Sequence, residues 1–336
     1  MQSHSTELDT DHPAEFVTIG ETMIMMTPMA AMRLEQAESL SVHIGGAESN
    51  VAMYLADLGH QVRWAGSVGN DPFGRMLLRE LQAVGVDTSL ASIDPNARTG
   101  VYFKDPDETR TTVHYYRDGS AAAKLGPGIL GEPGFVGASV VHVTGITAAL
   151  SSSCLELLRA VILDRALGSS VVSFDVNFRP SLWSNRDAAP VLGELANSCD
   201  LVFVGLDEAN SLWGCETPTD VRSIMPNAGC VVVKNDGIGA ESFRSGSSVF
   251  ASAPRVEVVE SVGAGDAFAA GYLSGLLRKL DEMQRLRLGH LVAAQALSVT
   301  SDHAQIPSLE WFSRHATLSQ VDWDRLDLVP YQKAVN

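Results

Sequence analysis

The sequence predicts an α/β protein with a central, mostly parallel sheet, and three observations carry that expectation. Short Val-rich runs at residues 140–143, 171–175, 201–204 and 231–234 are apolar almost throughout, as strands covered by helices on both faces must be. Stretches of helical character separate these runs, which is the alternation that crossover connections impose. The 336 residues are 45% hydrophobic and 19% charged, enough apolar material for a large core without disulfide or metal staples.

The elements follow in chain order. Residues 1–15 are polar and acidic, without the cationic start and apolar stretch of a secretion signal, and are expected to be a disordered extension. Phe16-Val17-Thr18-Ile19-Gly20 reads as a buried first strand. Residues 49–58 place Val51, Leu55 and Leu58 at helical spacing, with Gly59 after them as a stop. Val62, Trp64, Gly66 and Val68 alternate as a strand does, and Asn70-Asp71-Pro72 open a helix that runs toward Leu81 and ends near Gly85. Two stretches break the rhythm. Residues 23–43 carry little helix signal, and residues 98–117 read as strands 100–104 and 111–116 joined by a Pro-Asp turn. Together they are expected to form a small antiparallel β lid exposed on at least one face. Helices are expected at 151–166, 187–197, 207–213, 264–279, 283–300 and 308–315, followed by a C-terminal tail over 316–336.

Charge and cysteine usage narrow the function. The net charge of −16 repels nucleic acid and anionic lipid, and no Lys/Arg-rich block offsets it. No run reaches the roughly 18 apolar residues that span a bilayer. Neither nucleic acid nor membrane is therefore expected as a partner. Cys154, Cys199, Cys215 and Cys230 show no CxxC pairing and fit the reduced thiols of a cytoplasmic protein. No GxxxxGK[ST] and no GxGxxG after a strand occur.

The strongest chemical signal is Gly263-Ala264-Gly265-Asp266. Small residues leave backbone N–H groups uncovered where a helix starts, and those donors with the helix dipole make an anion site. Asp266 in the first turn has two readings, a general base toward a substrate hydroxyl or a helix cap. A second signal is Gly45-Gly46-Ala47-Glu48-Ser49-Asn50. Its glycines let backbone approach a ligand and Asn50 can hydrogen-bond a sugar hydroxyl; a tight turn before a helix has the same pattern.

With both segments present in this order, residues 16–315 resemble the ribokinase-like (PfkB) carbohydrate kinases. The resemblance implies a three-layer α/β/α sandwich and ATP-dependent phosphorylation of a sugar-like alcohol. Asp266 would be the base, and the backbone amides of Gly263, Ala264, Gly265 and Asp266 the anion hole. It implies a sugar site at Gly45, Gly46, Asn50 and Asp266, and a nucleotide site at Lys234, Asp236, Gly237, Gly239, Gly263, Gly265 and His290, with Mg²⁺ as the partner of ATP. Glu208 matches a family position near Mg²⁺, although Gly205 replaces the usual amide or hydroxyl. Asp236 stands where the family has glycine, a residue that tolerates left-handed angles. Glu260-Ser261 replaces Asp-Thr, which leaves a monovalent-cation site there open.

Within the family, Tyr115-Tyr116-Arg117 with Ser120-Ala121, and Asp175-Val176-Asn177-Phe178-Arg179 with Leu182-Trp183, resemble the 2-keto-3-deoxygluconate kinases. Tyr102, Tyr115, Arg117, Asn177, Arg179 and Asp302 join the sugar site on this basis. Arg pairs with a carboxylate through forked donors, and both arginines fall at carboxyl ends of strands, where open sheets bind ligands. The alternative for each is a structural or surface ion pair. Two other functions stay open: a kinase for a neutral sugar (fructose or ribose) or a nucleoside, and a catalytically silent sensor. The exposed hairpin is expected to pair between subunits in a homodimer or larger oligomer.

Overall fold

The computed structural model describes residues 14–29, 32–107, 111–183 and 187–328. The chain runs β1 (Phe16–Ile19), β2 (Met23–Pro28), β3 (Leu40–Gly45), α1 (Ala47–Asp57), β4 (Val62–Gly69), α2 (Pro72–Ala83), β5 (Ala91–Asp94), β6 (Val101–Pro106), β7 (Thr111–Tyr116) and β8 (Val140–Thr144). It continues through α3 (Gly145–Leu150), α4 (Ser152–Ile162), β9 (Val171–Asp175), α5 (Ala188–Asn197), β10 (Leu201–Gly205), α6 (Leu206–Trp213), α7 (Pro218–Ile224) and β11 (Cys230–Asn235). The last elements are β12 (Gly239–Arg244), β13 (Ser247–Ser252), β14 (Arg255–Val256), α8 (Ala264–Leu277), α9 (Glu282–Ala296), α10 (Leu309–Ala316), α11 (Gln320–Trp323) and β15 (Asp327–Leu328).

Nine strands form the main sheet in the order β13-β12-β11-β10-β9-β8-β1-β4-β5. All pairs are parallel except β11–β12 and β12–β13, a hairpin at one edge. Side chains alternate faces along each strand, so Phe16 joins a core under α1, α2, α8, α9 and α10 while its neighbour Val17 joins a second core under α3, α4, α5, α6 and α7. This is the three-layer sandwich. Each large side chain buried in these layers stabilises the fold by roughly 1.5–3 kcal/mol. Local signals set the helix starts: Asp71 accepts from the Gly74 amide at 2.8 Å at the head of α2, with Pro72 in the first turn.

The lid is a separate four-stranded sheet, β3-β2-β6-β7. Its outer pairs, β2–β3 and β6–β7, are antiparallel, and the central β2–β6 pair is parallel. Two hairpins thus lie side by side, one from each stretch that broke the helical rhythm.

Several details depart from the expected elements. Residues 1–13 of the expected N-terminal extension lie outside the described residues; Ala14 is already buried. Residues 316–328 of the expected tail are folded, and 329–336 lie outside the described residues. Trp323 is buried, its indole donates to Ser252 O at 2.9 Å, and β15 pairs with β14. Strands β5, β12 and β13 and helix α7 had no expected counterpart. The helix expected at 283–300 ends at Ala296. No helix among the described residues is long and apolar enough to cross a membrane.

Candidate active site

The carboxyl ends of β1, β9, β10 and β11 point toward the starts of α1 and α8, and the lid covers one end of the gap between them. The result is a cleft of about 1040 Å³, lined by Glu21, Asn50, Asn177, Lys234 and Asp266 among others, and by Tyr102, Tyr115 and Arg117 from the lid side.

Asp266 is the third residue of α8. The turn before it is built on Gly263, whose φ of 88° lies in the left-handed region. A Cβ there would stand 2.9 Å from Asp302 O, so glycine is required on both counts. A Cβ on Gly265 would stand 3.2 Å from Lys234 Nζ, which places that ammonium over the helix tip. Asp266 is 9% exposed. Its Oδ2 accepts from Asn50 Nδ2 at 2.9 Å and its Oδ1 from Asn177 Nδ2 at 3.4 Å. Both partners come from other elements, so this carboxylate faces the cleft instead of capping its own helix. Burial, reinforced by the charge of Asp175, pushes its pKa up to about 7, against the Asn50 hydrogen bond and the cations Arg179 and Lys234. A carboxyl group that titrates near neutrality is well matched to general-base work.

Lys234 Nζ stands 2.9 Å from Asp175 Oδ2. Burial works against the ammonium, but Asp175 and Glu208 together raise its pKa above the usual lysine value, so it stays charged. Asn177 and Asp236 have φ of 39° and 42°. Asn and Asp are the side-chain-bearing residues that best accept such angles, which is why the loop tolerates aspartate at 236. Glu208 spends both oxygens on backbone: Oε1 accepts from Phe178 N and Oε2 from Gly205 N, each at 2.9 Å. Burial raises its pKa, opposed by Lys234. At the far end of the cleft His290 packs edge-on against Phe268 at 5.1 Å, with Nε2 3.2 Å from Ala251 O. Burial lowers its pKa to about 4. This neutral ring suits a wall for a base better than a partner for phosphate. Asp236, Gly237 and Gly239 line the same end.

The sugar end holds a surprise. Arg117 is buried and ion-paired with Glu21 of the β1 end, and its guanidinium lies 5.3 Å over the Tyr115 ring. Ser120 Oγ donates to Glu21 Oε1 at 2.6 Å. The arginine expected to be a free carboxylate clamp is thus already neutralised, although its Nε is buried without a hydrogen-bond partner. Arg179 is different: its side chain is 45% exposed in the cleft, 3.4 Å from Glu208 Oε1. Asn50 Oδ1 and Asn177 Oδ1 are buried acceptors without a partner, a pair suited to sugar hydroxyls. Tyr102 donates to Asp302 Oδ2 at 2.7 Å, and the other Asp302 oxygen accepts from Lys104 at 2.8 Å, so this aspartate is committed to the lid. Gly46 lines the cleft; Gly45 lies beneath the Tyr102 hydroxyl, where a Cβ would overlap it.

Glu21 and Lys104 had no place in the sequence reading. For Glu21 a signal existed: it follows Gly20 at the carboxyl end of the first strand, where sheet ligands bind. A lysine in an alternating hairpin offered none.

Comparison with known proteins adds three findings. The model for "pfkB family carbohydrate kinase" matches residues 13–309. A 2-dehydro-3-deoxygluconokinase of Bacillus subtilis is 36% identical over 302 residues, 88% of this chain and 93% of its own, and one from Thermoproteus tenax is 32% identical over 308 residues with the same coverages. A solved structure of an uncharacterized sugar kinase from Pyrococcus horikoshii in complex with ATP is 26% identical, with a TM-score of 0.76 over 86% of this chain and 95% of that one.

Proposed function

This chain belongs to the pfkB family of carbohydrate kinases, and within that family we propose that it transfers the γ-phosphoryl group of ATP to a primary hydroxyl of a sugar acid, 2-keto-3-deoxygluconate, giving the 6-phosphate. The observation that carries the chemistry is the buried Asp266 carboxyl, titrating near 7 between two asparagines at the tip of α8. Asp266 takes the hydroxyl proton as the sugar oxygen bonds to phosphorus and the bond to the ADP oxygen breaks. The amides of Gly263, Ala264, Gly265 and Asp266, the helix dipole and Lys234 gather the charge of the transferred group.

Mg²⁺ is usually held by nucleotide phosphates and water with one or two carboxylates. Asp207 and Glu208 on the cleft wall would supply those carboxylates, Asp207 more readily because both oxygens of Glu208 already serve backbone amides. Bound Mg²⁺ would neutralise charge on the phosphates. Asp236, Gly237 and Gly239 would border the nucleotide and His290 its base. Asn50 and Asn177 would hold sugar hydroxyls, with Tyr102 and Tyr115 roofing the ring and Asp302 holding Tyr102 in place.

The exposed fork of Arg179 supports a sugar acid, as do the two 2-dehydro-3-deoxygluconokinase relatives. The pairing of Arg117 with Glu21 favours the second reading, a neutral sugar such as fructose or ribose. A substrate panel with coupled ADP detection separates them: the highest kcat/KM belongs to 2-keto-3-deoxygluconate, and a higher value for a neutral sugar replaces the first reading with the second. Asp266→Asn lowers kcat by at least about 10²-fold; full activity in that variant would remove the base. We further propose a dimer formed through the lid.

A further inference from the structure

One lid side chain reaches the two loops that flank the start of α8. Lys104 leaves β6 with its side chain 2% exposed. Its Nζ stands 2.8 Å from Asp302 Oδ1, 3.2 Å from Thr300 O and 3.9 Å from Glu260 Oε2. Three oxygens from two loops therefore face an ammonium with three hydrogens. Those loops frame the turn that opens α8: Glu260 precedes it, and Asp302 O packs against Gly263. Two neighbouring contacts also join lid to loops, Tyr102 to Asp302 at 2.7 Å and Thr111 Oγ1 to Glu260 Oε2 at 3.0 Å.

A dissolved monovalent cation beside Glu260 does not fit this arrangement, because a buried ammonium already stands among the oxygens that would hold it. Without Lys104, two carboxylates would face each other beside a site that must accept a polyanionic nucleotide. We propose that Lys104 is a positioning residue that acts as a built-in monovalent cation, locking the 260–263 and 300–302 loops, and with them the anion-hole turn, when the lid is seated. The proposal rests on reading residues 263–266 as the anion hole. It makes activity independent of added K⁺.

The test uses the full chain and ADP release. Wild-type kcat is the same in potassium and tetramethylammonium salts. Lys104→Ala lowers kcat on the order of 10²-fold, the cost of about 1 Å of misplacement, and ammonium or methylammonium ions restore much of it. Lys104→Met keeps the aliphatic stem, fills the space and is not restored. Strong activation of the wild type by K⁺ overturns the proposal, as does full activity of Lys104→Ala or a loss that neither ion relieves. Should Lys104→Ala fail to fold, the wild-type salt series decides alone. Asp266→Asn stays slow in every salt, so failure of the base and failure of the lysine are told apart.

Discussion

Asp266 can work as the proposed base only when it has lost its proton, and its surroundings resist that loss. With a pKa near 7, kcat/KM is expected to rise with pH through about 7 and then level; a profile flat from about pH 5 to about pH 9 contradicts the assignment. The same shift acts on stability. Between the ordinary value of 3.8 and about 7 the native state holds a proton that the unfolded chain has released. Stability from this group is therefore complete below about pH 4 and is lost as pH rises through about 7. Asn cannot ionise, so the thermal midpoint of Asp266→Asn should exceed the wild type's by a margin that opens between about pH 4 and about pH 7 and stays constant above, as scanning calorimetry would read. The two arginines are expected to differ in kind. Arg117→Ala strands the buried Glu21 carboxylate, and breaking a buried pair costs about 3–5 kcal/mol; its midpoint falls by several degrees and Glu21→Gln recovers part of the loss. Arg179→Ala removes a half-exposed side chain, so the midpoint stays while kcat/KM falls more for the sugar acid than for fructose. Equal losses on the two substrates would deny Arg179 the carboxylate.

At the scale of elements, the start of α8 is the sensitive point. Gly263→Ala forces a side chain into a left-handed angle, at about 1–3 kcal/mol, and against Asp302 O. The turn must shift, so kcat should fall together with the midpoint; a variant with wild-type kinetics would show that the turn does not place the anion hole. The elements that the sequence revealed and those it concealed differ physically. Strands β8 to β11 were legible because both faces are buried and the residues are Val-rich. Strands β12 and β13 form an edge hairpin with Glu241, Ser242, Arg244, Ser247 and Ser248, a half-solvated composition that reads as loop. Helix α7 carried a Thr217 cap and Pro218 but buries only Val221, too little for a periodic signal. The candidate site was legible where backbone chemistry defines its geometry, at the turn of Gly263, Gly265 and Asp266. It was not legible where a charge is held by tertiary partners. The burial of Lys104 depends on which face of a lid strand looks inward, and alternation alone cannot tell one face from the other; the pairing of Arg117 with Glu21 depends on the path of the chain just beyond β7.

Across the whole molecule, a net charge of −16 would oppose the proposed anionic sugar and ATP only weakly. Surface carboxylates beyond the Debye length of about 8 Å are screened at physiological salt, so Lys234, Arg179 and the helix tip dominate inside the cleft. The same screening lets two acidic copies associate if an apolar surface brings them together, and the lid presents one. Residues directly opposite in paired strands share a face. The pairings Met26–Val42, Met26–Phe103 and Phe103–His114 set a row across all four strands; in the next row Ile24 and Ile44 are buried in the core that includes α1 and Val101 packs against it, which leaves Tyr116 outside. This face turns away from the buried Lys104 and from Tyr102 and Tyr115, which line the cleft, and leaves Val42 40% and Tyr116 69% exposed. The outer strands β3 and β7 are also open edges, which monomers ordinarily cover or charge. Covering these faces mutually needs about 800 Å² per partner for a stable interface, an area within reach of a four-stranded sheet. Light scattering at micromolar concentration should return a dimer, and Tyr116→Asp should shift it to monomer while leaving the thermal midpoint of the dilute protein nearly unchanged. A wild-type monomer under those conditions would mean that the lid's apolar face is left to solvent.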